Sequence, residues 1–256
     1  MPSHDDVIDA LGALGIRAPS DALRALITHL TKSRASPVQC FEQLVALERR
    51  ERDARNLERR NKAATLGTFK ALDRFEWSHP RSVDRALYEE LLELNFLEKG
   101  DNVLFRGQSG VGKTNLAQVL GHAALAKGHT VRFTTLAAAL ADLSRQESLP
   151  ALERRMRRYT GVDLLVLDEL GYLPCDGRSA DLLYNIISRR HEQRSTIVST
   201  NLAYKQWNTV FPGAACVVAM VDRFAQHCHV VDIDAESWRS KEATTRTERK
   251  PGPKKR

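Results

Sequence analysis

The eight residues Gly107-Gln108-Ser109-Gly110-Val111-Gly112-Lys113-Thr114 constrain this chain more than any other stretch. They follow the apolar run Asn102 to Arg106 and lead into Asn115 to Gly128, which is helical in pattern. The spacing is GxxxxGK[ST] in the order strand, loop, helix. Glycines let the backbone curl until successive amides point at one phosphate, and the helix N-terminus adds positive potential there. The whole run Gly107–Thr114 is therefore expected to cradle ATP. Lys113 should reach the β- and γ-phosphates, and the Thr114 hydroxyl should ligate Mg²⁺.

Further along, Leu164-Leu165-Val166-Leu167 runs without interruption into Asp168 and Glu169. An unbroken apolar run of this length reads as a strand buried on both faces, and ligands gather at the C-terminal ends of such strands. Asp168 is expected near Mg²⁺, with Glu169 polarising a water for attack on the γ-phosphate. A third run, Ser195 to Thr200, ends in Asn201, whose amide is placed to hydrogen-bond that water or the γ-phosphate. Five β-rich runs, at 102–106, 129–135, 163–169, 195–201 and 229–233, alternate with helical segments. This alternation predicts an α/β domain with a five-stranded parallel sheet flanked by helices.

The chain before this domain reads differently. Val7, Leu11 and Leu14, then Leu23, Leu26, Ile27 and Leu30, recur at helical spacing, with Ser20 as a candidate N-cap. Pro37 separates these helices from a third, over Val38 to Lys62, whose end carries seven basic and three acidic residues over 49–62. That face either contacts phosphates or is solvated through pairs such as Glu48 with Arg52 and Glu51 with Arg55. The expected division is a helical N-terminal DNA-binding and assembly domain over 1–65, a connector packed on the core over 66–100, the ATPase domain over 101–240, and a tail over 241–256. Phe69, Phe75 and Trp77 are assigned to packing the connector on the core, and its Ser82–Leu97 stretch reads as helical.

Most of the formal net charge of +7 sits in the tail, which holds seven basic and two acidic residues. A tail of this composition is expected to be disordered, and either attracts phosphates or only solubilises the chain. No run of about 18 apolar residues exists and the N-terminus carries acids where a signal peptide carries bases, so a cytoplasmic protein is expected. Cys40, Cys175, Cys216 and Cys228 lack a paired spacing and read as reduced thiols. His227-Cys228-His229 cannot converge on one ion if it lies in a strand, because neighbours point to opposite faces.

The phosphate loop, the LLVLDELGYLP segment, ISRRHEQRSTIVSTN and MVDRFAQHCHVVDI together resemble the IstB-like ATPases, transposition helpers of bacterial insertion sequences, over roughly residues 65–240. These are similar to the DnaC helicase loaders and to DnaA within the AAA+ class. The resemblance implies an AAA+ P-loop fold without a C-terminal helical lid, and a homo-oligomer with ATP at its subunit interfaces. It also implies assembly on duplex DNA and recruitment of a partner transposase. The alternative is a DnaC-like loader of a helicase onto single-stranded DNA. By resemblance Arg223 is the arginine that reaches a neighbouring subunit's γ-phosphate, the alternative being an ion pair with Asp222 or a nearby acid, with Arg189 and Arg190 as runners-up. Arg154, Arg155, Arg157 and Arg158 either face nucleic acid or form a solvated helix end. No acidic triad for strand transfer stands outside the nucleotide site, so the chain is read as a helper and not the transposase.

Overall fold

The computed structural model describes residues 3–171, 176–235 and 238. The chain divides into two compact units, residues 1–62 and 63–256.

The first unit is helical: α1 (His4–Ala13), α2 (Ser20–Ser33) and most of α3 (Pro37–Ala64). Ser3 and Asp6 close α1 with a capping box, each side chain bonded to the other's backbone N–H. Ser20 is the first helical residue of α2, and Pro19 ahead of it makes no side-chain cap. The small core is Ile8, Ala18 and Leu23, with Leu11, Ile16, Ile27, Leu44 and Leu47 around it. Of the inward-facing positions expected near α1, Leu11 packs on this core, whereas Val7 is 37% and Leu14 83% exposed and Ile8 is buried instead. Glu48 is the polar hub of this unit. It accepts from the Arg17 backbone N–H at 2.8 Å and from the guanidinium groups of Arg52 and Arg55 at 3.3 and 3.1 Å. These contacts hold its carboxyl below the usual carboxylate range, against the opposing effect of its burial. Arg55 thus pairs with Glu48, seven residues back, and not with Glu51 as the helical spacing suggested.

The second unit is an α/β layer structure built on a six-stranded sheet. Its strands are β1 (Ser82–Val83), β2 (Asn102–Gly107), β3 (Val131–Thr135), β4 (Leu164–Leu170), β5 (Ser195–Thr200) and β6 (Cys228–Asp234), in the spatial order β1-β6-β2-β5-β4-β3. The five expected strands run parallel, and the sheet gains a sixth. β1 lies antiparallel on the outer edge, pairing Ser82 with Asp234 and Val83 with Ile233. Two residues are too few to give a period-2 signal, so this strand was read as the start of a helix. The connector therefore supplies sheet as well as helices, namely α4 (Arg85–Leu92) and α5 (Asn95–Lys99).

Helices α6 (Lys113–Ala126), α7 (Leu136–Ser144), α8 (Leu149–Thr160), α9 (Gly177–Arg190), α10 (Trp207–Val210) and α11 (Cys216–Ala225) complete the unit. Val103, Leu104 and Phe105 of β2 and Leu164 to Leu167 of β4 are fully buried, as strands covered on both faces must be. The order has one consequence for the site. β5 lies between β2 and β4, so its C-terminal end falls between the phosphate loop and the acidic pair. No described helix is long and apolar enough to cross a membrane.

Candidate functional site: a phosphate loop facing two acids and an asparagine

The loop after β2 owes its path to two glycines. A Cβ on Gly107 would stand 2.3 Å from the carbonyl oxygen of Ile233, so only glycine lets β2 end this close to β6. Gly112 has φ +100°, and a Cβ there would meet the Phe75 ring at 2.8 Å. Between them Val111 is buried and anchors the loop in the core, while Gln108 and Ser109 are exposed. α6 begins at Lys113, so its first backbone N–H groups face the loop without intrahelical partners. The Lys113 ammonium donates to the carbonyls of Gly107 and Gln108, both at 2.7 Å. Thr114, the next residue, donates its hydroxyl to both carboxylate oxygens of Asp168 at 3.2 and 3.0 Å.

Asp168 is only 3% exposed and also accepts from the Ser199 hydroxyl of β5. That same Ser199 oxygen accepts from the Glu169 backbone N–H at 3.0 Å. The pairing of β4 with β5 is irregular between Leu167 and Leu170, and Glu169 takes a left-handed backbone, φ +63°. In a regular strand Asp168 and Glu169 would point to opposite faces. The irregularity aims Glu169, exposed, into the cavity while Asp168 stays against Thr114. Asn201, just past β5, is exposed and lines the same cavity.

This cavity encloses about 880 Å³. Ser109 to Thr114, Glu169 and Asn201 line it, whereas Gly107, Gln108 and Asp168 are not part of that lining. Its far wall comes from the connector and from beyond β6, with Phe69, Lys70, Phe75, His79 and Trp238 among its residues. Phe75 packs edge-on against Trp77 and His79 against Trp238. The Trp238 backbone N–H donates to the Gly110 carbonyl at 3.0 Å. Asn115 ties the connector to α6 by accepting from the Lys70 backbone N–H at 2.8 Å, and its own amide nitrogen is buried without a hydrogen-bond partner. An unpaired buried donor beside a cavity marks a place where a ligand can complete the polar wall. For a metal ion, the Thr114 hydroxyl and the Asp168 carboxylate are hard oxygen donors of the kind Mg²⁺ takes beside substrate phosphates.

The expected arginines separate clearly. Arg223 on α11 does not line the cavity of its own chain. It donates to the Tyr184 hydroxyl at 2.6 Å and to the Ser188 hydroxyl, both on α9, and does not pair with Asp222. Arg190 is 1% exposed and structural, donating to the Thr196 hydroxyl and to the carbonyls of Tyr159, Val162, Asp163 and Ser195. Burial pushes its guanidinium down to about 9, which still leaves it charged at neutral pH. It cannot serve a neighbour's site. Arg189 is committed to Glu153 through two hydrogen bonds of 2.7 and 2.6 Å. On α8, Arg155 is held by Asp142, while Arg154, Arg157 and Arg158 are exposed. Residues 172–175, which include most of the GYLP segment and Cys175, lie outside the described residues, as does the 241–256 tail.

The profile of the family described as "IstB-like ATP binding protein" matches residues 9–246. The chain belongs to this family. Among its relatives, the insertion sequence IS232 putative ATP-binding protein of Bacillus thuringiensis subsp. berliner is 37% identical over 204 residues, covering 78% of this chain and 82% of that one. The corresponding IS21 protein of Pseudomonas aeruginosa is 36% identical over 191 residues, 75% and 72% of the two chains. Among solved structures, the DnaC helicase loader superposes with TM-score 0.51 at 22% identity, covering 69% of this chain and 99% of that one. Replication initiator DnaA bound to AMPPCP and single-stranded DNA gives 0.54 at 20% identity, over 70% of this chain but only 54% of DnaA. At such identities these likenesses show the fold alone.

Sequence reasoning missed Ser199, which fixes Asp168 and Glu169 together, and the aromatic wall of the cavity. β5 reads Ser-Thr-Ile-Val-Ser-Thr, so no sequence signal singles out Ser199 from the other hydroxyl residues of the strand; only the pairing of β4 with β5 sets it beside the acidic pair. Phe69 and Phe75 were assigned to packing alone, yet both face the cavity.

Proposed function

We propose that this IstB-like protein binds MgATP in the cavity between the phosphate loop and the connector, hydrolyses it, and couples that cycle to assembly on DNA for a partner transposase. The observation that carries this reading is the convergence of Lys113, Thr114 with Asp168, Glu169 and Asn201 at the C-terminal ends of three neighbouring strands.

In this mechanism the loop amides and Lys113 bind the phosphates, Lys113 exchanging its loop carbonyls for β- and γ-phosphate oxygens. Thr114 and Asp168 would hold Mg²⁺, which when bound neutralises charge on those oxygens. The aromatic faces of Phe69, Phe75 and Trp238 offer an apolar wall to the base. Asn201 orients a water, and Glu169 takes its proton as the water oxygen bonds to the γ-phosphorus. The bond from that phosphorus to the bridging oxygen breaks, and its electron pair leaves with ADP. Arg223 of an adjacent copy offsets the charge that develops on the transferred group.

Assembly on DNA is supported by the two relatives' insertion-sequence names and by exposed arginines in each unit. Arg49, Arg50, Arg52 and Arg59 are exposed on α3, and Arg154, Arg157 and Arg158 on α8. Such groups bind phosphates without sequence preference and with a steep salt dependence. The test is sedimentation velocity with MgATP, alone, with a duplex of about 50 base pairs (long enough for several subunits, each base pair spanning about 3.4 Å of axis), and with a single strand of equal length. A discrete large species that requires both ATP and duplex supports the reading. Assembly on the single strand alone assigns the protein to helicase loading instead, and no nucleotide dependence refutes both.

A further inference from the structure

An arginine that must meet an anion from another molecule has two requirements that oppose each other. Its long side chain has to be held in one orientation, because ordering it on contact costs rotamer freedom. Its charge must also stay uncompensated, because a carboxylate that held it would offset the attraction it is there to supply. Arg189 illustrates the conflict, since Glu153 orients it through two bonds and neutralises it at the same time.

Arg223 meets both requirements. One guanidinium nitrogen, Nη1, donates to the Tyr184 hydroxyl at 2.6 Å and to the Ser188 hydroxyl. The guanidinium carbon lies 5.0 Å from the centre of the Tyr184 ring, a cation–π distance. Tyr184 and Ser188 stand one helical turn apart on α9, so both hydroxyls approach from one side. Among the described residues no carboxylate lies within ion-pairing distance of Arg223, and all of its partners are neutral. Tyr184 also packs on the core cluster of this unit, which fixes the ring. α9 is in addition the next element after β4, the strand that carries Asp168 and Glu169.

We propose that Tyr184 and Ser188 are positioning residues that hold Arg223, oriented and still charged, for the ATP site of an adjacent copy of this chain. The inference rests on the reading of Arg223 as a trans-acting arginine. It makes Tyr184 and Ser188 determinants of turnover in the neighbour's site and not in their own.

Tyr184→Phe, which keeps the ring, Ser188→Ala, the double variant and Arg223→Ala are assayed together for kcat, KM, affinity for a fluorescent ATP analogue, and thermal unfolding. The double variant is expected to lose about 10-fold in kcat, the scale of a lost orienting contact, with analogue affinity and unfolding unchanged. Mixing the double variant with Glu169→Gln subunits is the decisive experiment. Interfaces that combine an intact Glu169 with an intact Tyr184–Arg223 pair form only in the mixture, so its turnover should exceed the mean of the two separate proteins. A mixture no more active than that mean places the effect within the variant's own site and overturns the inference. A double variant that turns over like wild type while Arg223→Ala is inactive overturns the positioning role alone. Wild-type turnover by Arg223→Ala removes the trans-acting reading itself.

Discussion

The Thr114 hydroxyl donates to both oxygens of the Asp168 carboxylate, at 3.2 and 3.0 Å, across 54 residues of sequence. This contact joins the two motifs of the site through β5, whose Ser199 donates to the same carboxylate. Asp168→Asn keeps the shape but replaces an oxygen that accepts these bonds with an amide that donates. Turnover should fall by at least about 100-fold, with weakened Mg²⁺-dependent nucleotide binding, measured by phosphate release and by titration of a fluorescent analogue with and without the metal.

Glu169→Gln removes the proposed proton acceptor while leaving Lys113, Thr114 and Asp168 unchanged. The expected result is analogue binding within about twofold of wild type and turnover lower by roughly 100- to 10,000-fold. Equal losses in both would show that Glu169 supports binding and not proton transfer.

Ser199→Ala should separate positioning from chemistry. Nothing but the hydroxyl that links Asp168 to the Glu169 backbone is lost. Partial loss of kcat is expected, with a cost of about 1–3 kcal/mol in stability for unsatisfied buried partners, read by chemical denaturation.

Arg190→Met tests the separation of the arginines. The four carbonyls and one hydroxyl that Arg190 serves would lose their donor. Destabilisation by about 3–5 kcal/mol is expected, whereas Arg223→Ala should leave thermal unfolding nearly unchanged and lower turnover.

Acid should loosen the packing of α7 against α8. Hydrogen bonds from Arg155 hold the Asp142 carboxyl below its ordinary 3.8, with Tyr159 adding to the effect. A carboxyl lowered in the fold stabilises fully above its unfolded value, and that contribution is lost as pH falls through the folded one. Asp142→Asn should therefore reduce stability at neutral pH and flatten its decline below about pH 4, followed by circular dichroism.

Much of the site was readable because its parts are local. Gly107–Thr114 is contiguous, and a buried apolar strand ending in two acids has few other meanings. The five parallel strands were legible for the same reason, each being a short apolar run. What escaped depends on contacts between distant segments. Val7 and Ile8 are both apolar, and only packing against Ala18 and Leu23 decides which turns inward. β1 exists because Ser82 and Val83 meet the end of β6, which no local pattern encodes. Phe75 lies against Gly112 across 37 residues, and Arg190 and Arg223 look alike in sequence although one is enclosed and the other faces neutral hydroxyls.

The left-handed backbone at Glu169 gives this residue two opposed demands. A side chain held at positive φ costs on the order of 1–3 kcal/mol, a penalty that glycine at the same position would largely escape. Glycine there would give a firmer fold with no group to take the proton from water. On the proposed mechanism, stability and turnover thus place opposite demands on this one position.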